Sequence, residues 1–210
     1  MSSSMVTVTR AMEYLASRNR LFYQISAQYY KSIVANEIKL AGITERDHVL
    51  CIGGGPCPFT GILFHHLTKA RVTVVDNDYS SVVCSRQLLK TLGLDRNIKV
   101  LFADGNSIEA DGYSVVHFAL QVCPLEEVFR ELERRCRRGT RMLVRLPKRT
   151  LKSLYSHGSG EFFNQCEQIV HSRSRNTAST ALYIKAGSNY EKSNSICSVN
   201  STAWYSHAAV

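Results

Sequence analysis

The feature that most constrains this chain is an apolar run that ends abruptly at consecutive glycines. The strand-forming residues 49–52 are followed directly by Gly53, Gly54 and Gly55. Glycine adopts backbone angles that other residues avoid, and without a side chain it lets a ligand lie against the main chain. Pro58 suits the first turn of a helix, where its missing N–H would have no partner anyway. The stretch predicts a buried strand, a ligand-binding turn and a helix start.

A second strand-like segment, residues 71–76, ends in the carboxylate of Asp76. This acid lies about twenty residues beyond the glycine turn, the spacing at which a carboxylate accepts hydrogen bonds from the hydroxyls of a ribose. The two segments together predict an adenosine-binding half-site. The alternative interpretation is a tight strand-to-helix turn in an unrelated α/β fold.

The glycine turn matches only part of the GxGxxG pattern of nicotinamide and flavin sites. Gly53 and Gly55 occupy the first two glycine positions, but the third holds Pro58, whose ring prevents a close approach of helix and strand. S-adenosylmethionine has no pyrophosphate to place on a helix N-terminus, so it fits this turn better. We therefore predict S-adenosylmethionine as cosubstrate.

Strand-like and helix-like segments alternate along the chain after a long N-terminal helix. The alternation predicts a doubly wound, mostly parallel sheet, and a short polar connection before the last strand predicts one antiparallel hairpin at its edge. We expect a seven-stranded, Rossmann-like α/β fold. The predicted strands are residues 48–53, 71–76, 98–105, 113–120, 140–147, 165–172 and 181–186, and the predicted helices are residues 10–41, 59–70, 80–93 and 124–138.

Ligands in open α/β sheets bind at the carboxyl ends of strands, near the point where the strand order reverses. Four predicted strands of this chain end in residues suited to such a site, and the acid after the third could reach an adenine amino group. The predicted cofactor-binding residues are Gly53, Gly54, Gly55, Pro56, Asp76, Asp104, Gly105, Leu120 and Gln121.

Composition argues against several classes of protein. No apolar run approaches the roughly 20 residues of a membrane span, and the N-terminus lacks a basic-then-apolar signal pattern, so we expect a cytoplasmic protein. The 7 cysteines are odd in number and never spaced as CxxC, so the sequence predicts neither a disulfide framework nor a metal site.

The net charge of +9 comes from 26 Lys plus Arg against 17 Asp plus Glu, and the excess is concentrated in residues 130–152. Such a patch could contact nucleic acid or an anionic substrate. However, the helix predicted at 124–138 opens with acids and closes with bases, which complements its dipole at both ends. We therefore favour a solvated helix end and do not expect nucleic acid as a partner.

The order of strands and strand-end acids resembles the class I S-adenosylmethionine-dependent methyltransferases. The usual turn of those enzymes has an acid two residues before the first glycine and a third alternate glycine, where this chain has Cys51 and Cys57. Residues 52–60 look instead like the glycine-proline-x-proline turn of nicotianamine synthases and related opine-metallophore enzymes. Residues 139–145, followed by Leu154 and Tyr155, are similar to that family's fifth strand and trailing leucine-tyrosine. The resemblance covers roughly residues 29–155.

Tyr30 and Glu37 match the tyrosine and glutamate of the helix that covers the pocket in this family. The resemblance implies transfer of the 3-amino-3-carboxypropyl group of S-adenosylmethionine to a small amine, with release of 5′-methylthioadenosine. It also implies that Glu37 takes the proton of the attacking amine and that Tyr30 orients substrate or base.

Other activities remain open at this point. The cofactor's own amine could attack and close the ring of azetidine-2-carboxylate, as in relatives of the same family. A small-molecule or RNA methyltransferase would release S-adenosylhomocysteine instead, although residues 118–124 lack the Asn/Asp-Pro-Pro-aromatic motif of base-methylating enzymes. A non-catalytic subunit that binds the cofactor is a further alternative.

We divide the chain into an N-terminal helical cap (1–46), a cofactor-binding α/β domain (47–187) and a Ser/Asn-rich tail or lid (188–210). The expected partners are a small-molecule amine or the cofactor's own amine, with no membrane, and a second copy in a homodimer.

Overall fold

The computed structural model describes residues 20–154, 163, 166–172 and 174–186. Helices and strands alternate through these residues. The helices are α1 (Arg20–Ala41), α2 (Phe59–Thr68), α3 (Tyr79–Thr91) and α4 (Leu125–Arg135), with a short 3₁₀ helix at Arg149–Leu154. The strands are β1 (His48–Ile52), β2 (Arg71–Asp76), β3 (Ile98–Phe102), β4 (Val115–Phe118), β5 (Arg141–Pro147), β6 (Glu167–Val170) and β7 (Thr177–Ile184). The start of the predicted first helix and the predicted tail lie outside the described residues.

The strands form one seven-stranded sheet in the order β3-β2-β1-β4-β5-β7-β6. Strands β1 to β5 pair in parallel, whereas β7 pairs antiparallel with both β5 and β6. The order reverses at β1, which has β2 on one side and β4 on the other, so the switch point lies between β1 and β4. The predicted doubly wound, mostly parallel sheet with an antiparallel edge hairpin is confirmed.

Strand β1 is buried on both faces, as expected for a strand in the middle of a parallel sheet. Val49 and Cys51 belong to the hydrophobic cluster under α1, α2 and α3, whereas Leu50 and Ile52 belong to the cluster under α4. Successive strand residues point to opposite faces, so one apolar run supplies both halves of the core.

Helix α4 is the clearest amphipathic element. Its buried residues recur at helical spacing, its first turn is acidic and its last turn is basic, which confirms the predicted complement to the helix dipole. The buried residues are Leu125, Val128, Phe129 and Leu132, the acids are Glu126 and Glu127, and the bases are Arg134 and Arg135.

Near the site, one predicted boundary was confirmed and one was wrong. Helix α2 begins at Phe59, as predicted, and Pro58 is the residue just before it. Strand β3 ends at Phe102 and not at residue 105, because the chain turns at Asp104. The Oδ1 atom of Asp104 accepts a hydrogen bond from the backbone N–H of Asn106 at 2.9 Å, which stabilises this turn.

The polar connection predicted before the last strand was expected to be a loop over residues 173–179, but residues 177–179 are the first residues of β7. Thr177 and Ser179 are buried in this strand. The Ser179 hydroxyl donates to Gln168 Oε1 on β6 at 2.8 Å. Because a buried hydroxyl with a hydrogen-bond partner avoids most of its desolvation cost, a polar sequence can continue a strand here.

Among the residues with described coordinates, no helix is long and apolar enough to cross a membrane. In the same residues, no group of three or more His, Cys, Asp or Glu side chains is placed to hold a metal ion. Cys51, Cys57 and Cys136 are buried, whereas Cys123 is exposed.

Gly54 packs so closely on β2 that an added β-carbon would lie 2.1 Å from Val74 Cγ1. We expect Gly54→Ala to lower the free energy of unfolding by about 1–3 kcal/mol, the usual cost of overpacking. Gly112→Ala is the matched control, because a β-carbon there meets nothing within 4 Å. Urea unfolding measures both variants. Equal stability of Gly54→Ala and wild type would show that the turn does not need this close approach.

Candidate functional site

A cavity of about 240 Å³ lies at the carboxyl ends of β1, β2 and β4, beside the switch point of the sheet. Open α/β sheets bind their ligands at this position. Pro56 is buried and does not line the cavity, unlike the other predicted cofactor residues. Those in the wall are Gly53, Gly54, Gly55, Asp76, Asp104, Gly105, Leu120 and Gln121.

The glycine turn is tied to β2 through the carboxylate predicted to bind ribose. Asp76 Oδ2 accepts from the backbone N–H of Gly55 at 2.7 Å, and Oδ1 accepts from that of Asp78 at 2.9 Å. Gly53 and Gly55 have φ angles of 81° and 63°, the left-handed region that favours glycine. An ionised carboxylate has about four lone-pair positions, so two remain for the hydroxyls of a ribose.

Tyr30 brings α1 to the wall of the cavity. Its ring stacks on Phe59 with centroids 5.5 Å apart and planes 19° apart. The Arg145 Cζ atom lies 5.7 Å from the Tyr30 centroid. Because aromatic faces attract cations, this contact helps to hold α1 beside β5.

Glu37 lies about two helical turns beyond Tyr30 on α1 and is fully buried. Arg145 Nε and Nη2 donate to its Oε1 and Oε2 at 2.7 and 2.8 Å, and Thr180 Oγ1 donates to Oε1 at 2.8 Å. Arg145 also donates through Nη1 to Thr60 Oγ1 at 3.0 Å. The structure therefore separates the two predicted catalytic residues: Tyr30 lines the cavity, whereas Glu37 lies behind Arg145 and is not part of the described wall.

Electrostatic interactions keep both Glu37 and Arg145 charged. Burial alone would raise the pKa of the Glu37 carboxyl, but the charge of Arg145 and the proximity of His117 outweigh burial and hold that pKa far below its usual range. Burial likewise acts to lower the pKa of Arg145, and Glu37 outweighs it, so that the guanidinium pKa is raised. A carboxylate with so low a pKa is a weak proton acceptor.

Sequence analysis missed Arg145 and His117, which both line the cavity. Each is a polar residue flanked by apolar residues within a strand, Arg145 in β5 and His117 in β4. A buried strand tolerates such a residue only where it finds a partner, so an isolated polar residue was the signal that could have identified them. Asn176 and Thr177 also line the cavity, and no sequence pattern marked them.

The sheet order, the glycine turn and the acids at successive strand ends together define the class I S-adenosylmethionine-dependent methyltransferase fold. Within that class, the chain shares its fold with a nicotianamine synthase, MtNAS. Two structures of a glutamate-to-glutamine mutant of MtNAS, one of them with S-adenosylmethionine, match with a TM-score of 0.74 and 24% identity over 87% of this chain and 73–75% of theirs. MtNAS in complex with MTA and tNA matches with the same TM-score at 25% identity.

Two further comparisons show a weaker similarity. One covers a smaller part of the chain, and the other has a lower sequence identity. An L-histidine 2-aminobutanoyltransferase of Yersinia pestis is 31% identical over 72 residues, which span 34% of this chain and only 27% of that relative. An RNA methyltransferase of Salinibacter ruber in complex with S-adenosyl-L-homocysteine has a TM-score of 0.62 at 15% identity, over 77% of this chain and 95% of its own. No protein-family model matches the chain.

The buried pair gives a prediction about stability. Arg145→Met leaves the Glu37 carboxylate buried without its cation, so we expect a loss of about 3–5 kcal/mol of unfolding free energy. Adding Glu37→Gln removes the uncompensated charge and should restore a large part of that loss. A double-mutant cycle by urea unfolding measures the coupling. Simple additivity of the two single losses would show that the ions do not interact.

Proposed function

We propose that this protein is an enzyme that transfers the 3-amino-3-carboxypropyl group of S-adenosylmethionine to a small amine and releases 5′-methylthioadenosine. The observation that carries the proposal is the cavity itself. Its glycine turn, the carboxylate of Asp76 and the aromatic wall at Tyr30 meet at one switch point. The same fold in MtNAS has been crystallised with S-adenosylmethionine, and with MTA and tNA.

The chemistry requires selection among three electrophilic carbons. The sulfonium activates every carbon bonded to it, so the product depends on which carbon faces the nucleophile, and positioning supplies several kcal/mol of the barrier. In the proposed reaction the amine attacks the γ-carbon of the methionine moiety. A C–N bond forms, the C–S bond breaks, and its electron pair stays on sulfur, which becomes the neutral thioether of 5′-methylthioadenosine.

The attacking amine must first lose a proton. The sequence-based proposal that Glu37 accepts this proton and that Tyr30 orients substrate or base stays a prediction. Tyr30 is supported by its place in the cavity wall. For Glu37 the buried pair with Arg145 favours an indirect part, in which the carboxylate acts through the groups it contacts.

Two other outcomes are retained. Ring closure of the cofactor to azetidine-2-carboxylate uses the same leaving group and needs no second substrate. Methyl transfer is favoured by the fold shared with the RNA methyltransferase. An RNA substrate is disfavoured because the exposed arginines of α4 are paired with acids of the same helix. Arg130 pairs with Glu126, and Arg134 pairs with Glu131. We also propose, from the sequence, a cytoplasmic location and a homodimer.

The first test concerns the cosubstrate. At a concentration 100 times its Kd, S-adenosylmethionine should stabilise the protein by about 2.7 kcal/mol, seen as a rise in Tm. Asp76→Ala should abolish the shift, because the ribose hydroxyls lose their acceptor and the turn at Gly55 loses its tie to β2. Asp111→Ala, at an exposed site outside the cavity wall, is the matched control. Stabilisation by NAD and not by S-adenosylmethionine would contradict the proposal.

The second test identifies the bond that breaks. After incubation with S-adenosylmethionine and a panel of small amines, chromatography should show 5′-methylthioadenosine. Accumulation of S-adenosylhomocysteine would establish methyl transfer and reject the proposed reaction while leaving the fold unchanged. Formation of 5′-methylthioadenosine without an added amine, with azetidine-2-carboxylate in equal amount, would identify ring closure.

A further inference from the structure

His117, in the middle of β4, is a buried polar side chain in the cavity wall whose two ring nitrogens have no hydrogen-bond partner among the described residues. Only 1% of its surface is exposed. A buried polar atom without a partner is costly, so native proteins usually satisfy such atoms or use them in function. The ring packs edge-on against Phe64 of α2, with centroids 5.5 Å apart, which fixes its position.

The imidazole lies against the Glu37 carboxylate, with His117 Nε2 3.5 Å from Glu37 Oε1. The other titratable or charged groups packed around this contact are Arg145 of β5, Cys51 of β1 and His171, which precedes β7. Arg145 donates hydrogen bonds to Glu37 and Thr60. The thiol of Cys51 is not available as a base, because burial raises its pKa to about 12. His171 donates or accepts at Thr180 Oγ1 through Nε2.

We propose that His117 is the base that takes the proton from the attacking amine, with Glu37 as the positioning residue beside it. This inference rests on the proposed function. In the tautomer with Nε2–H directed at Glu37 Oε1, 3.5 Å away, Nδ1 carries the lone pair that accepts the proton, and no hydrogen bond from the described residues occupies it. The amine then attacks the γ-carbon as the C–S bond breaks, and His117 gives up the proton to water that enters the cavity after the product leaves.

His117 and Glu37 have different roles in this proposal. Burial lowers the pKa of His117 and Glu37 opposes that shift, so the ring is neutral near pH 7 and can act as an acceptor. A nearby carboxylate stabilises the imidazolium that forms during proton transfer, as in other histidine-carboxylate pairs. Glu37 itself stays ionised throughout this pH range, so its own titration contributes no change in activity there.

The experiment compares wild type with His117→Gln, which keeps a donor near the position of Nε2 but cannot take a proton. We expect kcat for formation of 5′-methylthioadenosine to fall about 10²- to 10⁴-fold, the range for loss of a general base, while the Kd for S-adenosylmethionine changes little. In wild type, kcat should fall on an acidic limb whose midpoint lies below the usual histidine pKa of about 6.5, because burial lowers the pKa of His117. His117→Gln should lack this limb. Glu37→Gln should move the limb to lower pH, because the imidazolium loses its stabilising charge.

His66→Gln is the control, since His66 is an exposed histidine of α2 outside the cavity wall. If His117→Gln does not fold, His117→Asn and the wild-type profile decide the question. A wild-type kcat with no acidic limb at any pH at which the protein stays folded would overturn the assignment, as would full activity of either His117 variant. Failure of wild type to form 5′-methylthioadenosine at all would instead overturn the proposed function.

Discussion

The buried ion pair between Glu37 and Arg145 is the interaction on which the arrangement of the cavity depends. It joins α1 to β5, and through Thr180 and Thr60 it also reaches β7 and α2. Removing two charges from water costs several kcal/mol per ion, which their attraction offsets only with good geometry and satisfied remaining hydrogen bonds. Both conditions are met here, because the guanidinium binds the carboxylate through two atoms and each ion has a threonine partner. The helix that carries Tyr30 is therefore held against the sheet beside the cavity.

The sheet and the charged cluster contribute different parts of the site. The sheet supplies the half that we propose to bind adenosine: β1 leads into the glycine turn, and Asp76 at the end of β2 accepts a hydrogen bond from the backbone of that turn. Backbone geometry and a single carboxylate suffice for this half, and the class I fold uses it for several reactions. The charged cluster lies on the other side of β1, along β4 and β5, where His117 and Arg145 reach the wall. We infer that this second half selects the reaction.

The geometry of the first half could be predicted from the sequence because its physical causes are local. A strand, a glycine turn and a carboxylate at fixed spacing lie within about thirty residues, and their periodicity is visible without any tertiary information. The second half depends on pairings far apart in the chain: Glu37 meets Arg145 across 108 residues and Thr180 across 143. No local pattern encodes such pairings, which is why Glu37 was placed on the correct helix but was expected to face the substrate. The start of β7 was missed for a related reason, since the partner that lets Ser179 be buried lies on β6.

The pairing of Arg145 also bears on how the cavity could accept a sulfonium. An unpaired guanidinium roughly 5 Å from a unit positive charge would repel it by about 3 kcal/mol at an effective dielectric constant of 20. Glu37 cancels most of that charge, and His117 is neutral near pH 7, so the cluster as a whole carries almost no net charge toward the cavity. A neutral but strongly hydrogen-bonded wall of this kind can orient a cationic cosubstrate without opposing its binding, and it leaves His117 as the group whose charge changes during the proposed reaction.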